Sequence, residues 1–201
     1  MKDLLNISGT QSVIIDMSSY KDYRSCWIFS NKKLEELRHI KKLKKLEKLK
    51  CLHNKLISLD ISGLTNLELL DCTHNQIQNL QLSNNKSLEV LECSFNKLEF
   101  LNLSGAENLK KLRCSTNKFK TLDLSGLKKL THLYAMNNKF LTELIVPSNL
   151  YVLQLSYCDN LKSVTIGENK IDVFISGNNV FTKTSDGRME IIAKFIKENS
   201  R

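Results

Sequence analysis

Residues 88–105 read LEVLECSFNKLEFLNLSG, and residues 109–126 read LKKLRCSTNKFKTLDLSG. A shift of 21 residues brings leucine, cysteine, asparagine and the closing Ser-Gly of the two stretches into coincidence. The same shift continues in both directions and superposes two further sets: Leu46, Leu67, Leu88, Leu109 and Leu130, and Asn54, Asn75, Asn96, Asn117 and Asn138. A fixed period of this length predicts a solenoid in which each repeat adds one turn of chain.

The repeat unit, LxxLxCxxNxLxxLxL, indicates a short strand followed by a turn. Alternate residues of a strand face opposite sides, so Leu49 and Cys51 are expected to point inward and Lys50 outward. The asparagine follows the strand, where its amide can satisfy turn backbone groups that no sheet reaches. We therefore interpret the five asparagines as a structural ladder and not as a glycan or ligand site.

Over residues 46 to 181 the chain resembles leucine-rich repeat proteins, of the 21-residue kind met often in bacteria. Cysteine stands here at the third core position, where leucine or isoleucine is more usual. The resemblance implies an α/β fold, a right-handed solenoid of about seven repeats with a parallel concave sheet and an extended or 3₁₀ convex side. It is specific for the family and says little about function.

A solenoid exposes an apolar cross-section at each end, so both ends should carry caps. Residues 1–45 are predicted to form an N-terminal cap, with a short strand at 13–17, a degenerate first repeat at 23–31 and a short helix near 32–41. Residues 182–201 are predicted to hold a C-terminal capping helix, over 186–198. The helix is suggested by the helical spacing of its apolar residues, Met189, Ile192, Phe195 and Ile196.

The six cysteines favour packing over cross-linking, because four of them, Cys51, Cys72, Cys93 and Cys114, fall at the 21-residue period in core positions. Buried thiols of this kind suit a reducing compartment. No CxxC or CxxxC spacing occurs, so we expect neither a metal nor a cofactor. The sequence also lacks an apolar run near 18 residues and a Sec-type signal, which favours the cytosol or export by another route.

The formal charge of +9 is concentrated in one segment, because residues 31–50 carry a net +6. Such a basic segment can attract nucleic acid, an anionic membrane or an acidic protein. We single out five of its lysines as a candidate basic patch: Lys41, Lys42, Lys44, Lys45 and Lys48. No aromatic residue interleaves them to stack bases, which favours a solvated face of the cap over a binding patch.

The outward positions of successive strands make the concave face, and reading them as columns gives the candidate protein-binding residues. These are Leu69, Asp71, Val90, Glu92, Arg113, His132, Tyr134, Met136, Val152 and Gln154. An aromatic residue with arginine and methionine nearby is typical of a protein-binding hot spot. The simpler alternative is that Lys50 with Asp71, and Glu92 with Arg113, are ion pairs between neighbouring strands worth little energy.

Catalysis is not favoured by the same columns. Asp71 and Glu92 are adjacent carboxylates, but an open sheet offers no desolvated pocket to separate their pKa values. His53 and His74 lie one repeat apart and could share a metal with Asp71, yet no further ligand is evident. The sequence thus predicts a monomeric, non-enzymatic module that binds a protein partner, as a bacterial effector or scaffold. The alternative is binding of nucleic acid or an anionic membrane through residues 32–50.

Overall fold

A computed structural model describes residues 2–6, 14–27, 33–150, 152–167, 169–176, 179–183 and 189–191, with side chains for 14–26, 33–150 and 152–167. These described residues form short strands joined by turns, with 3₁₀ turns at Ser18–Tyr20 and Ile40–Lys42. In chain order the strands are β1 (Lys2–Asn6), β2 (Ile14–Asp16), β3 (Tyr23–Trp27), β4 (Glu36–Arg38), β5 (Lys48–Lys50), β6 (Ser58–Asp60), β7 (Leu69–Asp71), β8 (Asn79–Gln81), β9 (Val90–Glu92), β10 (Lys111–Arg113), β11 (Thr121–Asp123), β12 (His132–Tyr134), β13 (Glu143–Val146), β14 (Val152–Gln154), β15 (Ser163–Ile166), β16 (Asn169–Ser176), β17 (Asn179–Lys183) and β18 (Met189–Ile191). No helix in the described part of the chain is long and apolar enough to cross a membrane.

The predicted parallel sheet is confirmed as one continuous layer of eight strands, in the order β1-β3-β5-β7-β9-β10-β12-β14. Each turn of the right-handed coil contributes one strand to this sheet, so the eight strands span about seven turns. The register keeps the repeat positions aligned, with Leu70 opposite Leu91 and Leu112 opposite Leu133. This layer is the concave face.

The opposite, convex side is also built from short parallel strands. β2 pairs with β4, β6 with β8, and β11 with β13, which pairs with β15. The extended convex side that the family resemblance implied is confirmed, and much of it is hydrogen-bonded as small sheets.

A single apolar core runs along the coil between the two sides. Its residues repeat with the sequence period, so that each leucine packs on its equivalent in the next turn. Phe119 replaces the leucine or isoleucine found at Leu98, Ile77 and Leu56, and all four are fully buried. The core is therefore filled by a large apolar side chain at that position in each of these four turns.

The cysteine ladder is confirmed as packing, because Cys51, Cys72, Cys93 and Cys114 are fully buried and all six cysteines are free thiols. Burial raises the pKa of every one of them, to about 12 at Cys26 and about 11 at Cys158. A thiol that is buried and protonated reacts slowly, since the thiolate is the nucleophile.

We expect the native protein to resist alkylation by a maleimide or by iodoacetamide, and to take up six equivalents once unfolded in guanidinium. Intact-mass spectrometry before and after denaturation measures the uptake directly. Rapid native modification of several thiols would contradict the buried ladder, and a mass short of six equivalents after unfolding would point to disulfides.

The short helix predicted near 32–41 is wrong. Glu36–Arg38 is strand β4, paired with β2 in the expected strand region at 13–17, and a 3₁₀ turn follows at Ile40–Lys42. The apolar residues there recur at every third position and all face the core. A 3₁₀ turn has 3.0 residues per turn and so keeps every third residue on one side, which an α-helix does not. β3 meanwhile lies in the concave sheet, so the degenerate first repeat does contribute a strand.

The last predicted repeat, over 171–181, also differs in the structure. β16 runs antiparallel to β15, and β17 and β18 continue antiparallel, so these strands extend the convex layer and not the concave sheet. Gly167, with φ of +61°, precedes the reversal and allows it sterically. Within the predicted helix 186–198, the described residues Met189–Ile191 form a strand that pairs with β17, and the remaining residues lie outside the described part.

Candidate concave-face site

Successive strands place the predicted site residues side by side on the concave face. Leu69, Val90, Lys111, His132 and Val152 form one row in register. Asp71, Glu92, Arg113, Tyr134 and Gln154 form the next row, two residues along each strand, which we call the central row. Most of these side chains are half-buried, as expected where neighbours on a sheet cover one another. Met136 lies two residues after Tyr134, the last residue of β12, and therefore faces the same side of the sheet, so the ten candidates share one surface.

A compact group of charges centres on Glu92. Its carboxylate oxygen lies 2.8 Å from Nη1 of Arg113 and 4.0 Å from Nζ of Lys111, so the predicted Glu92–Arg113 ion pair is present. The Arg113 guanidinium in turn lies 5.0 Å from the centre of the Tyr134 ring. Because one carboxylate faces two cations, positive charge remains beside Tyr134.

Asp71 is set differently from Glu92, although the two are neighbours in the row. It is only 8% exposed, and its Oδ1 accepts the backbone N–H of Thr73 at 3.1 Å. Its carboxylate therefore stabilises the backbone at the end of strand β7.

The turn after each concave strand supplies a further row that the sequence analysis did not recognise as a whole. It consists of His53, His74, Phe95, Thr116, Asn137 and Tyr157, each with a left-handed φ between 55° and 60°. These residues share one sequence signal, since each directly precedes the asparagine, or Cys158, of its repeat. We call this row the rim ladder.

The rim ladder stacks rings where consecutive members carry one. The ring centroids of His53 and His74 lie 4.5 Å apart at 11°, and those of His74 and Phe95 lie 4.1 Å apart at 10°. Identical backbone conformations repeated at one strand spacing send the side chains out in parallel, which produces the stack. Burial lowers the pKa of His74, the charge of His53 lowers it further, and Asp71 opposes both.

The two histidines therefore lie as a face-to-face stack. The metal that His53, His74 and Asp71 could in principle have shared has no site among the described side chains, where no group of three or more histidine, cysteine or acidic residues is placed to hold one.

A cavity of about 640 Å³ lies between the rim ladder and the central row. Three predicted residues line it, Arg113, Tyr134 and Met136. The rim ladder closes it on the outer side with Phe95, Thr116, Asn137 and Tyr157, and Ser94 and Ser115 also line it. The remaining predicted residues lie on the same face outside this cavity.

The cavity has a floor because the second residue after each of β9 and β10 is a serine. Ser94 Oγ accepts the N–H of Ser115 at 3.1 Å, and Ser115 Oγ accepts the N–H of Met136 at 3.1 Å. Both hydroxyls are thus used to satisfy the backbone, and the small side chains leave room above them. The next residue in the row, Met136, is larger and forms the end wall.

The five lysines of the predicted basic patch do not form one surface. Lys48 lies on β5 in the concave sheet, whereas Lys41 reaches Asp60 on the convex strand β6 at 2.6 Å. Lys44 donates to the carbonyl of Gly63 at 3.1 Å, and Lys45 lies 2.9 Å from Asp22. Three of the five are therefore engaged by groups of the same chain, and Lys42 is exposed in the 3₁₀ turn beside Lys41.

No family model and no curated protein matches the sequence. Solved structures do match. One is YopM, a leucine-rich effector protein from Yersinia pestis, with a TM-score of 0.53 and 23% identity over 74% of this chain and 44% of YopM. Another is the functional domain of InlJ from Listeria monocytogenes, which includes a cysteine ladder, with a TM-score of 0.40 and 22% identity over 77% of this chain and 46% of that one.

A third is the internalin inlF from Listeria monocytogenes, with a TM-score of 0.31 and 18% identity over 80% of this chain and 66% of that one. The chain thus spans less than half the length of YopM and of InlJ. The likeness to YopM is one of fold, since it combines matching coil geometry with low sequence identity.

Proposed function

Because the chain has a leucine-rich repeat fold of the bacterial type, we propose that it is a non-enzymatic module that binds a protein partner on its concave face. The observation that carries this proposal is the cavity beside Arg113 and Tyr134. It joins an aromatic ring, a guanidinium and a methionine on one rigid sheet, which is the composition of a binding hot spot.

The Arg113–Tyr134 pair is held in place before any partner arrives. Glu92 fixes the guanidinium from one side at 2.8 Å, and the Tyr134 ring lies 5.0 Å from it on the other. A side chain that is already ordered loses less conformational entropy on binding. The pair can therefore contribute more to affinity than a free surface arginine and tyrosine would.

A catalytic role has less support from the described residues. Asp71 accepts a backbone N–H, Glu92 faces two cations, and the thiols are buried with raised pKa values. None of these groups is poised as a free base or nucleophile. By analogy with YopM, described as an effector, we propose that the chain acts as an effector or scaffold, in the bacterial cytosol or after export without a Sec-type signal.

The alternative of an anionic partner, whether nucleic acid or membrane, has weaker support. Lys41 and Lys45 are paired with carboxylates, and Lys48 lies on the other face of the coil. A divided and partly neutralised set of lysines gives a weak field for phosphate groups.

The proposal is tested by capture of partners on the immobilised full chain, followed by mass spectrometry. We expect Arg113→Glu/Tyr134→Ala to weaken capture of a protein partner at least 10-fold, because two hot-spot side chains are lost and Glu92 gains a like charge. Lys118→Glu/Phe100→Ala is the matched control, since both residues are exposed and neither lies in the cavity.

A second variant distinguishes binding of a protein on the concave face from binding of an anionic partner through the basic segment. Replacing Lys41, Lys42, Lys44 and Lys45 together by glutamate should leave capture unchanged if the concave face binds. If only this variant loses the partner, and the loss follows ionic strength steeply, the anionic-surface alternative is correct instead.

A further inference from the structure

The rim ladder contains a gap that is bounded by aromatic rings. Phe95 and Tyr157 are three repeats apart, which at one strand spacing per repeat is about 14 Å. Between them the ladder carries Thr116 and Asn137, whose side chains are small. We call this gap, above Thr116 and Asn137, the aromatic notch.

The rings that bound the notch are open to an incoming group. One face of Phe95 is stacked on His74 at 4.1 Å, and no ring among the described side chains stacks on its other face. Phe95 is 46% exposed and Tyr157 49% exposed, although rings of this size are usually more buried. Exposed rings beside a concave cavity are typical of binding sites.

The notch is rigid, so a bound group would not have to order it. The N–H of Phe95 donates to Ser115 O at 2.9 Å, that of Thr116 to Met136 O at 2.8 Å, and that of Asn137 to Ser156 O at 2.8 Å. Asn137 Nδ2 also donates to Thr116 Oγ1 at 3.2 Å and ties the two small side chains together. The opening is therefore kept at a fixed width.

The charge beside the notch favours a carboxylate on the occupant. Arg113 lines the cavity, is 43% exposed at its side chain, and shares Glu92 with Lys111. With two cations for one carboxylate, a second carboxylate would complete the balance.

We propose that the aromatic notch binds an aromatic side chain of the protein partner, flanked in the partner by an aspartate or glutamate that pairs with Arg113 or Lys111. This inference rests on the proposed protein-binding function and specifies the chemistry of the partner. The ring inserts between Phe95 and Tyr157, above Thr116 and Asn137, and continues the stack that His53, His74 and Phe95 begin.

The test uses the full chain labelled with ¹⁵N and three acetylated, amidated pentapeptides as probes. Their sequences are Gly-Asp-Trp-Asp-Gly, Gly-Asp-Leu-Asp-Gly and Gly-Lys-Trp-Lys-Gly. We expect the first peptide to shift the amide resonances of Thr116 and Asn137 and to bind at least 10-fold more tightly than the other two. Equal binding of the leucine peptide would overturn the aromatic anchor, and equal binding of the lysine peptide would overturn the acidic flank.

Variants locate the binding in the notch. Thr116→Phe places a ring of the chain itself in the gap and should weaken the first peptide at least 10-fold, and Tyr157→Ala should weaken it by removing one wall. His53→Phe is the matched control, because it adds a phenyl ring to the same ladder two repeats before Phe95 and three before Thr116. If Thr116→Phe and Tyr157→Ala both bind normally, or if no peptide binds, the notch proposal is wrong.

The outcome separates this inference from the proposed function. If partner capture depends on Arg113 and Tyr134 but is unaffected by Thr116→Phe, the concave face binds a partner without using the notch. If the tryptophan peptide occupies the notch while Arg113→Glu/Tyr134→Ala still captures the partner, the notch proposal stands and the proposed function of the central row fails.

Discussion

Replacement of Asn96 by leucine is expected to lower the free energy of unfolding by about 3 kcal/mol, because it leaves several buried polar groups without partners. Asn96 Nδ2 donates to the carbonyls of Cys72 at 3.0 Å and Cys93 at 3.1 Å, and Oδ1 accepts the N–H of Ile77 at 2.9 Å. The amide thus joins its own turn to the preceding one by two bonds, to Cys72 and Ile77, and closes its own turn by the third, to Cys93. Leucine has a similar size but can make none of these bonds.

Urea unfolding followed by circular dichroism measures this loss. Asn79→Leu is the matched control, since Asn79 is the same residue type on the exposed face of β8, and we expect it to change stability by no more than about 0.5 kcal/mol. If both variants lose the same amount, the cost comes from adding an apolar side chain and the ladder of asparagines is not what holds the turns together.

The repeats were predictable because each repeated residue type has one structural task that recurs with the coil. Leucine and cysteine fill the core, and asparagine satisfies the turn, so a self-alignment of the sequence gives the positions directly. The ends were less predictable. Apolar residues at every third position from Leu34 suit a short helix as well as a strand followed by a 3₁₀ turn, and only the pairing of β4 with β2 decides between them.

The reversal of chain direction after β15 could not be predicted from the sequence for a related reason. Ile171, Phe174 and Ser176 repeat the core spacing closely enough to imitate another turn of the coil. The direction of a strand, however, is set by the connection that precedes it, and here a glycine with positive φ turns the chain back on itself. Spacing alone carries no information about that direction.

The concave rows followed from the alternation of side chains along a strand, which is why the Arg113–Tyr134 cluster could be placed from sequence. The rim ladder was harder to place, because its left-handed backbone mostly carries histidine, phenylalanine, threonine and tyrosine, which do not mark such a turn as glycine does, and only its position before the repeat asparagine indicates it. The cavity depends on both rows at once. Arg113, Tyr134 and Met136 were therefore foreseeable, whereas the lining residues from the rim ladder required the backbone conformation.

The basic segment shows the opposite case, in which a contiguous run of lysines suggested a single surface that the fold does not form. Its lysines are close in the chain, but the coil sends Lys48 to the concave sheet and Lys41 to the convex side. Contiguous charge in a solenoid is spread around the turn, whereas residues 21 apart come together. Charge clusters in such a fold are better sought down the columns than along the chain.

Gly105→Ala should also lower the free energy of unfolding, by about 2–3 kcal/mol. The cause is specific to this position and is not evident from the repeated Ser-Gly motif. Gly105 has a φ of +92°, and a Cβ added there would lie 2.7 Å from the backbone nitrogen of Asn84 in the preceding turn. Because the contacted atom belongs to the backbone, relief requires the two turns to move apart. A φ of this sign is also unfavourable for alanine, which adds to the steric cost.

Gly126→Ala is the matched control, because Ser125-Gly126 repeats Ser104-Gly105 one period later and a Cβ at Gly126 would meet nothing within 4 Å. We expect this variant to match the parent protein or to gain up to about 1 kcal/mol through the restricted unfolded chain. Urea midpoints of the two variants give the comparison. Equal destabilisation would mean that the Ser-Gly turn needs glycine in every repeat, whereas a loss at Gly105 alone shows that close contact with the neighbouring turn imposes the requirement there.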